Sequence, residues 1–248
     1  MELSEEDIWY FRYNGFYRLP ELLADDLIDR LNDITDAQIS GLAEPIIWES
    51  KKSRTPADIR RLSKIVERNP AYLEVASHPI VLDALQGVLG ANIELLTNKH
   101  NHLMVRPAGS SPVPWHSGEE LYDHLLITVI IYLEESTLDN GCIRLVPGSH
   151  MRPFNRKRRP KHGSFQESDL YCRSVPIPMP KGGVLLFNDS CFHGSNENKS
   201  HRSRRSMTLG YQAHSVHNVI KDDPEKILLR GEKVYVGYPH PFPYLNFS

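Results

Sequence analysis

A series of short, strand-forming segments in the second part of the chain constrains its fold more than any other feature. These segments are rich in Val, Ile, Leu, Thr, Phe and Tyr, are bounded by turn residues, and lie at residues 93–97, 101–106, 125–133, 143–146, 184–188 and 206–213. Segments of this length and spacing are typical of a β-sandwich or jelly roll. The segment 125–133 is apolar apart from Thr128, which predicts a strand buried on both faces.

The beginning of the chain carries mostly helical patterns. Ser4, with Asp7 three positions later, has the spacing of a capping box and predicts a short helix at the N-terminus. A leucine at every fourth position predicts a second helix over residues 22–34. Residues 43–56 have no regular pattern, and helical patterns dominate again over residues 56–89.

The order of these patterns predicts the fold class and the domain organisation. Helices followed by many short strands indicate a mainly β protein with helices packed outside the sheets. A chain of 248 residues can bury a large core, so we expect a single domain over residues 1–248. Within it we expect a mostly helical outer layer over residues 1–90, a jelly-roll core over 91–215 and a C-terminal tail over 216–248.

Composition and charge exclude several classes of protein. The net charge is only −2, with twelve acidic and three basic side chains in the first 50 residues, so we expect no binding to DNA or RNA polymers. The longest apolar run has nine residues, too few to span a membrane, and the acidic N-terminus argues against a signal peptide. Three cysteines without a CxxC pair predict a reduced, cytoplasmic protein. The oligomeric state is left open.

Two histidines and an arginine carry the predicted chemistry. His116 precedes the buried strand, His193 follows about eighty residues later, and Arg204 stands eleven positions beyond it. In non-heme iron oxygenases, imidazoles hold Fe(II), open positions take 2-oxoglutarate and O2, and an arginine binds the distal carboxylate of 2-oxoglutarate. The order and spacing of these three residues are typical of that layout.

Further stretches resemble the phytanoyl-CoA dioxygenase-like family of Fe(II)/2-oxoglutarate enzymes. They are FRYNGF at residues 11–16, NGCIRLVPGSH at residues 140–150, and KGGVLLF at residues 181–187, which leads to HGS at residues 193–195. The resemblance implies a double-stranded β-helix, or jelly-roll, core with His116 and His193 as metal ligands. It also implies Arg204 as the 2-oxoglutarate clamp, assisted by Ser195 or Ser206, with Fe(II), 2-oxoglutarate and O2 as cofactors.

One position departs from the family pattern. The family's first motif is His-x-Asp, whose carboxylate is the third iron ligand, but the corresponding residue here is Gly118. The missing carboxylate raises the net charge of the site by one and opens a coordination position. A chloride ion can fill that position and restore the missing negative charge. His-x-Gly is similar to the halogenase branch of the family. The resemblance therefore implies chlorination of an unactivated C–H bond, with chloride at the Gly118 site.

Two other interpretations use the same residues. A displaced carboxylate from Glu119 or Glu120 would give an ordinary hydroxylase, and Glu120 shares the strand parity of His116 and Gly118. The second is a non-catalytic binding protein on the same fold. His100 and His102 share an i, i+2 spacing, but with no third ligand beside them we expect them to line a pocket or form hydrogen bonds.

A basic segment bears on the substrate. Residues 152–161 carry six basic side chains, among them Arg156, Arg158 and Arg159, which could hold the phosphate of a small metabolite or lie on a solvated loop. The short chain, the His-Ser-Gly motif and the basic segment are most similar to the nucleotide halogenases of nucleoside antibiotic pathways. That similarity implies a nucleoside monophosphate, 2′-deoxyadenosine monophosphate, chlorinated on its sugar.

Overall fold

Two antiparallel sheets face each other, and helices cover the outer side of the larger one. The computed structural model describes residues 2–49, 54–118, 126–151, 167–214 and 225–233. The helices are α1 (Glu5–Asn14), α2 (Asp25–Ser40), α3 (Ile65–Arg68), α4 (Pro70–Ala76), α5 (Pro79–Leu89) and α6 (Glu167–Arg173). No helix within these ranges is long and apolar enough to cross a membrane.

The strands are numbered in chain order across both sheets. The larger sheet contains β1 (Phe16–Arg18), β2 (Ile46–Trp48), β3 (Ile59–Ser63), β4 (Ile93–Leu96), β5 (His102–Arg106), β7 (Ile127–Tyr132), β10 (Val184–Asn188), β12 (Arg204–Ala213) and β13 (Lys226–Arg230). The smaller sheet contains β6 (Val113–His116), β8 (Ile143–Leu145), β9 (Val175–Pro176) and β11 (His193–Ser195). The larger sheet runs β1-β10-β7-β12-β5-β3-β2, with β4 paired to β12 and β13 to β4, and the smaller runs β6-β11-β8-β9.

Strand β7 separates two hydrophobic cores, which explains why its sequence has no polar face. Val129 and Ile131 point into the core beneath the helices, here called the helix-side core. Ile130 and Tyr132 point into the core between the two sheets, the inter-sheet core. Successive strand residues alternate between faces, so both faces of β7 are buried, as the sequence predicted.

The predicted helix starts are mostly confirmed. The side chains and backbone amides of Ser4 and Asp7 form the reciprocal hydrogen bonds of a capping box before α1. Helix α2 begins three residues later than predicted and continues to Ser40. Leu23 therefore precedes the helix, and its backbone amide donates to the carbonyl of Gly182 at 2.9 Å.

The predictions for residues 43–56 and 56–89 are wrong at two strands, β2 and β3. Ile59 and Leu62 are both buried in the helix-side core, and their spacing of three resembles a helical pattern. The register between β2 and β3 shifts at this point, and such a bulge brings residues three apart onto one face of a strand. The outer layer predicted for residues 1–90 thus contributes to the sheet, and the predicted tail contains β13.

Candidate active site

Two histidines meet between adjacent strands of the smaller sheet. His116 ends β6, His193 begins β11, and the two residues are directly opposite each other in the antiparallel register. Opposed residues of such a pair place their side chains on the same face of the sheet. The ring centroids are 4.1 Å apart and the ring planes are tilted by 54°. The fold therefore brings together the two residues predicted to bind a metal.

Backbone carbonyls determine where each ring carries its proton. Nδ1 of His116 lies 2.8 Å from the carbonyl oxygen of Pro114, and Nδ1 of His193 lies 2.9 Å from that of Cys191. A carbonyl oxygen only accepts hydrogen bonds, so each neutral ring donates from Nδ1 and keeps a free lone pair on Nε2. Burial, and then the nearby His116, lower the pKa of His193 to about 3. Its ring is therefore neutral at physiological pH, as metal binding requires.

A carboxylate from the turn after β10 lies beside the position of the missing third ligand. The amide of Gly118 donates to the backbone carbonyl of Asp189 at 2.8 Å. An ideal Cβ on Gly118 would overlap with Oδ2 of Asp189 and lie 2.6 Å from its Cγ. The space next to Gly118 is therefore filled by the carboxylate of Asp189.

Three side chains hold the carboxylate of Asp189 in place. Its Oδ1 lies 2.8 Å from Nε2 of His100 and accepts from Oγ1 of Thr128 at 3.1 Å, and its Oδ2 lies 3.4 Å from Nζ of Lys99. Burial alone would raise the pKa of Asp189, but the hydrogen bond and charge of His100 and the charge of Lys99 lower it to about 2. Among the residues that the structure describes, no three His, Cys, Asp or Glu side chains form a group that could hold a metal ion. Asp189 thus stands beside the histidine pair without completing a triad.

A pair of buried arginines lies on the larger sheet. Arg204 of β12 is directly opposite Arg106 of β5, and the two residues are 6% and 1% exposed. Nη1 of Arg204 donates to Oγ of Ser136 at 3.0 Å, but its Nε has no hydrogen-bond partner in the described parts of the chain. Nε and Nη1 of Arg106 have none either. Two neighbouring guanidinium groups with unused donors suit an anionic ligand such as a carboxylate.

Hydroxyl groups accompany the arginine pair. Ser206 is buried two residues after Arg204, so it shares the face of β12 that is opposite to the helix-side core. Tyr132 is opposite Ser206 in the register of β7 and β12. The hydroxyl of Tyr132 and that of Ser195, two residues after His193, are buried without hydrogen-bond partners in the described structure. Buried polar groups without partners mark the place of a polar ligand. These hydroxyls and the two arginines together suit the dicarboxylate predicted from the sequence.

Several residues of this site were not predicted, and Arg106 and Asp189 are the most important. Arg106 ends a strand predicted only as apolar, and its partner Arg204 lies almost a hundred residues away, so no local pattern links them. Asp189 lies four residues before His193, in the turn that follows β10. An acidic residue near a metal-binding motif is a weak signal, because most such residues lie at the surface.

The other predicted residues have two different outcomes. His100 precedes β5 with a φ of 56°, so it does not share a strand face with His102, but its contact with Asp189 confirms the hydrogen-bonding role. Glu119 and Glu120 lie outside the described residues. So do the basic side chains Arg156, Arg158 and Arg159, which were predicted to bind the substrate.

Known proteins match most of this chain. A family model described as phytanoyl-CoA dioxygenase (PhyH) matches residues 11–206. The probable alpha-ketoglutarate-dependent hypophosphite dioxygenase of Stutzerimonas stutzeri is 26% identical over 211 residues, which cover 77% of this chain and 71% of the relative. The methylphosphonate hydroxylase of Gimesia maris is 24% identical over 217 residues, which cover 85% of this chain and 80% of the relative.

Solved structures share the fold. EctD from S. alaskensis with 2-oxoglutarate and 5-hydroxyectoine has a TM-score of 0.69 at 22% identity, and the match covers 86% of this chain and 77% of that one. The carbocyclase SnoK from nogalamycin biosynthesis has a TM-score of 0.68 at 18% identity, and the match covers 88% of this chain and 89% of that one. These likenesses confirm the predicted fold class, a mainly β jelly roll with flanking helices.

Proposed function

The chain belongs to the phytanoyl-CoA dioxygenase family of non-heme iron, 2-oxoglutarate-dependent oxidoreductases, and within this family we propose that it is a halogenase. It would place chlorine on an unactivated C–H bond of a small phosphorylated substrate. One observation carries the proposal. Gly118 stands where the family pattern has the third iron ligand, and among the described residues no third metal-binding side chain joins His116 and His193.

The histidine pair suits a divalent iron ion. His116 and His193 would hold it through Nε2, and their hydrogen bonds to the carbonyls of Pro114 and Cys191 fix the ring orientations. The ring of Phe187 lies 4.9 Å from that of His193, which is buried. When bound, iron with 2-oxoglutarate and O2 supplies the oxidising power that removes a hydrogen atom from carbon.

The missing ligand at position 118 supports a halide as the further ligand of the metal. Relative to a His-x-Asp site, Gly118 removes one ligand and one negative charge from the metal, and chloride supplies both. Asp189 does not supply them in this arrangement, because His100 and Thr128 bind one of its carboxylate oxygens. The second oxygen faces Lys99.

The arginine pair supports 2-oxoglutarate as the co-substrate. We assign the distal carboxylate to Arg204, with Ser195 and Ser206 as accompanying hydroxyls, and add Arg106 as a second cation beside it. A planar guanidinium binds a carboxylate in a fixed orientation. In this assignment the other end of the dicarboxylate would bind the metal.

The relatives support a substrate that carries a phosphorus oxyanion. The hypophosphite dioxygenase and the methylphosphonate hydroxylase are both named after small compounds of this class. In this chain the basic side chains of Arg156, Arg158 and Arg159 would bind the phosphate of a nucleoside monophosphate. Our specific candidate is 2′-deoxyadenosine monophosphate, chlorinated on the sugar.

A hydroxylase is the second candidate, and the carboxylate of Asp189 beside Gly118 is the observation that favours it. With Asp189 turned onto the metal, the site would have two imidazoles and a carboxylate, and the halide would lose its position. Glu120, the displaced carboxylate suggested by the sequence, would act in the same way. Hydroxylation adds one oxygen and needs no chloride, so the mass of the product separates the two candidates.

Mass spectrometry of the product tests the proposal. The protein is loaded anaerobically with Fe(II), 2-oxoglutarate and a panel of purine nucleotides, in chloride buffer or chloride-free buffer, and is then exposed to O2. We expect a product with the two-isotope pattern of chlorine, only with chloride and only from phosphorylated substrates, with the nucleosides as matched controls. An equal yield in both buffers of a product that has gained only oxygen would establish the hydroxylase instead.

A further inference from the structure

We propose that Asp189 is a positioning residue that makes glycine obligatory at position 118. Its carboxylate occupies the space that any side chain at 118 would need, so the metal cannot take a carboxylate from position 118 while Asp189 is in place. The inference deepens the proposed function, on which it rests, because it names the residue that keeps the third coordination position free of a protein ligand.

The steric part of the argument is direct. A Cβ on Gly118 would overlap with Oδ2 of Asp189, would lie 2.6 Å from its Cγ, and would lie 3.1 Å from its backbone oxygen. Heavy atoms that are not bonded do not approach each other as closely as this Cβ would approach Oδ2 and Cγ of Asp189. A side chain at position 118 and the carboxylate of Asp189 therefore exclude each other.

Asp189 cannot give way easily, because its backbone and its side chain are both held. Its amide donates to the carbonyl of Leu126 at 3.0 Å, and its own carbonyl accepts from Gly118 at 2.8 Å. Its carboxylate is bound by His100 and Thr128, and its side chain is 5% exposed. Moving the side chain would separate a buried anion from its partners, which is costly in protein interiors.

This arrangement changes how the missing ligand has to be restored. In the wild-type background, Gly118→Asp would press two carboxylates together in a buried place, where like charges disfavour each other. The metal would then gain no properly placed ligand. Removing the carboxylate of Asp189 at the same time frees the space, so the double variant Gly118→Asp/Asp189→Ala is the one that can rebuild a His-x-Asp site.

A double-mutant cycle on the metal-free protein tests the steric claim. Chemical unfolding is measured for wild type, Gly118→Ala, Asp189→Ala and the double variant. We expect Gly118→Ala to shift the unfolding equilibrium towards the unfolded state at least about tenfold more in the wild-type background than in the Asp189→Ala background. Asp189→Asn is the matched control: it keeps the size of the side chain without its charge, so the penalty of Gly118→Ala should persist. Additive effects in the cycle would overturn the proposal.

Cobalt binding tests the positioning role of Asp189. A residue that only stabilised the fold would not change the ligand set of the metal. Co(II) is titrated into each variant, and its visible absorption reports the ligand set. We expect Gly118→Asp/Asp189→Ala to bind Co(II) at least about tenfold more tightly than Gly118→Asp, with a changed spectrum. If Gly118→Asp alone gave the same spectrum and affinity, Asp189 would not control the position. Both readouts are independent of turnover, so they separate the two failures. A wild-type product without chlorine would remove the halogenase proposal but not the steric exclusion between Asp189 and a side chain at position 118, which the unfolding cycle tests by itself.

Discussion

At the scale of single residues, backbone carbonyls decide what the two histidines can do. The carbonyls of Pro114 and Cys191 engage Nδ1 of His116 and His193, so both rings present the same nitrogen to a metal. The strand register brings the two rings together, because the two residues are directly opposite each other.

Replacing one histidine should abolish tight metal binding. We expect His193→Ala to weaken Co(II) binding by more than about 100-fold, since even residues outside the ligand set cost 10–100-fold when they are changed. His201→Ala, at an exposed position in the following loop, is the control and should bind as wild type does. Isothermal titration calorimetry provides the measurement. Equal affinities in the two variants would remove His193 from the site.

The proposed site predicts separate contributions of the two buried arginines to 2-oxoglutarate binding. We expect Arg204→Lys to weaken binding by about ten- to a hundredfold, because an ammonium group cannot replace a bidentate guanidinium. Arg106→Gln should also weaken binding. Arg205→Gln is the control, since Arg205 lies on the opposite face of β12 and pairs with Asp36 at 2.6 Å. The Kd is measured on the Co(II)-loaded protein. An unchanged Kd in Arg106→Gln would exclude Arg106 from the anion site.

The low pKa of Asp189 predicts how its contribution to stability depends on pH. The pKa is about 2 in the folded protein against an ordinary value of 3.8, so ionised Asp189 stabilises the fold at pH values above 3.8. This shift corresponds to about 2 kcal/mol, and the contribution is lost as the pH falls towards 2. We therefore expect the difference in unfolding free energy between wild type and Asp189→Asn to be constant from pH 7 to 5 and to shrink below pH 4. A difference in unfolding free energy that stays constant down to pH 2 would contradict the low pKa of Asp189.

Single residues differ in how well the sequence could predict them. His116, His193 and Arg204 lie in local motifs with a recognisable order, and the structure places the two histidines side by side. Arg106 and Asp189 enter the site only through strand pairing and a turn, which depend on the complete fold. A single sequence contains no local signal for contacts of that kind.

At the scale of elements, Asn198 ties the loop between β11 and β12 to the end of β5. It is 1% exposed, and its Nδ2 lies within hydrogen-bond distance of three backbone carbonyls, those of Arg106, Pro107 and Arg202. These contacts join the segments that lead into the two arginine positions, so the loop holds the anion site together.

Removing the Asn198 amide should destabilise the protein measurably. We expect Asn198→Ala to lower the unfolding free energy by about 2 kcal/mol or more, because three backbone carbonyls lose a buried donor. The exposed neighbour Glu197 makes an ion pair with Lys199, and Glu197→Ala should change stability by less than about 1 kcal/mol. Urea unfolding of both variants provides the comparison. A cost for Asn198→Ala no larger than that for Glu197→Ala would show that the loop is not anchored there.

The elements show where sequence patterns succeed and fail. Strand β7 is recognisable because a strand buried on both faces needs a continuous apolar run. Strand β3 is not, because its bulge places Ile59 and Leu62 on one face at a spacing that imitates a helix. Strand β13 lies in a segment predicted as a tail, and its pairing with β4 decides its structure.

At the scale of the whole molecule, the site lies between the two sheets and takes groups from both. The smaller sheet provides His116 and His193, and the larger provides Arg204 and Arg106. The helix-side core packs against the outer face of the larger sheet. The face that points towards the smaller sheet is the one that carries Arg204 and Arg106. Metal and co-substrate are thus expected to link the sheets.

Iron X-ray absorption spectroscopy tests the central claim, that a halide takes the coordination position left by Gly118. The anaerobic protein is loaded with Fe(II) and 2-oxoglutarate in bromide buffer, because bromide is a strong scatterer that stands in for chloride. We predict a bromide scatterer bound directly to iron in the wild-type protein and its loss in Gly118→Asp/Asp189→Ala. A wild-type spectrum fully described by nitrogen and oxygen ligands in abundant bromide would contradict the account.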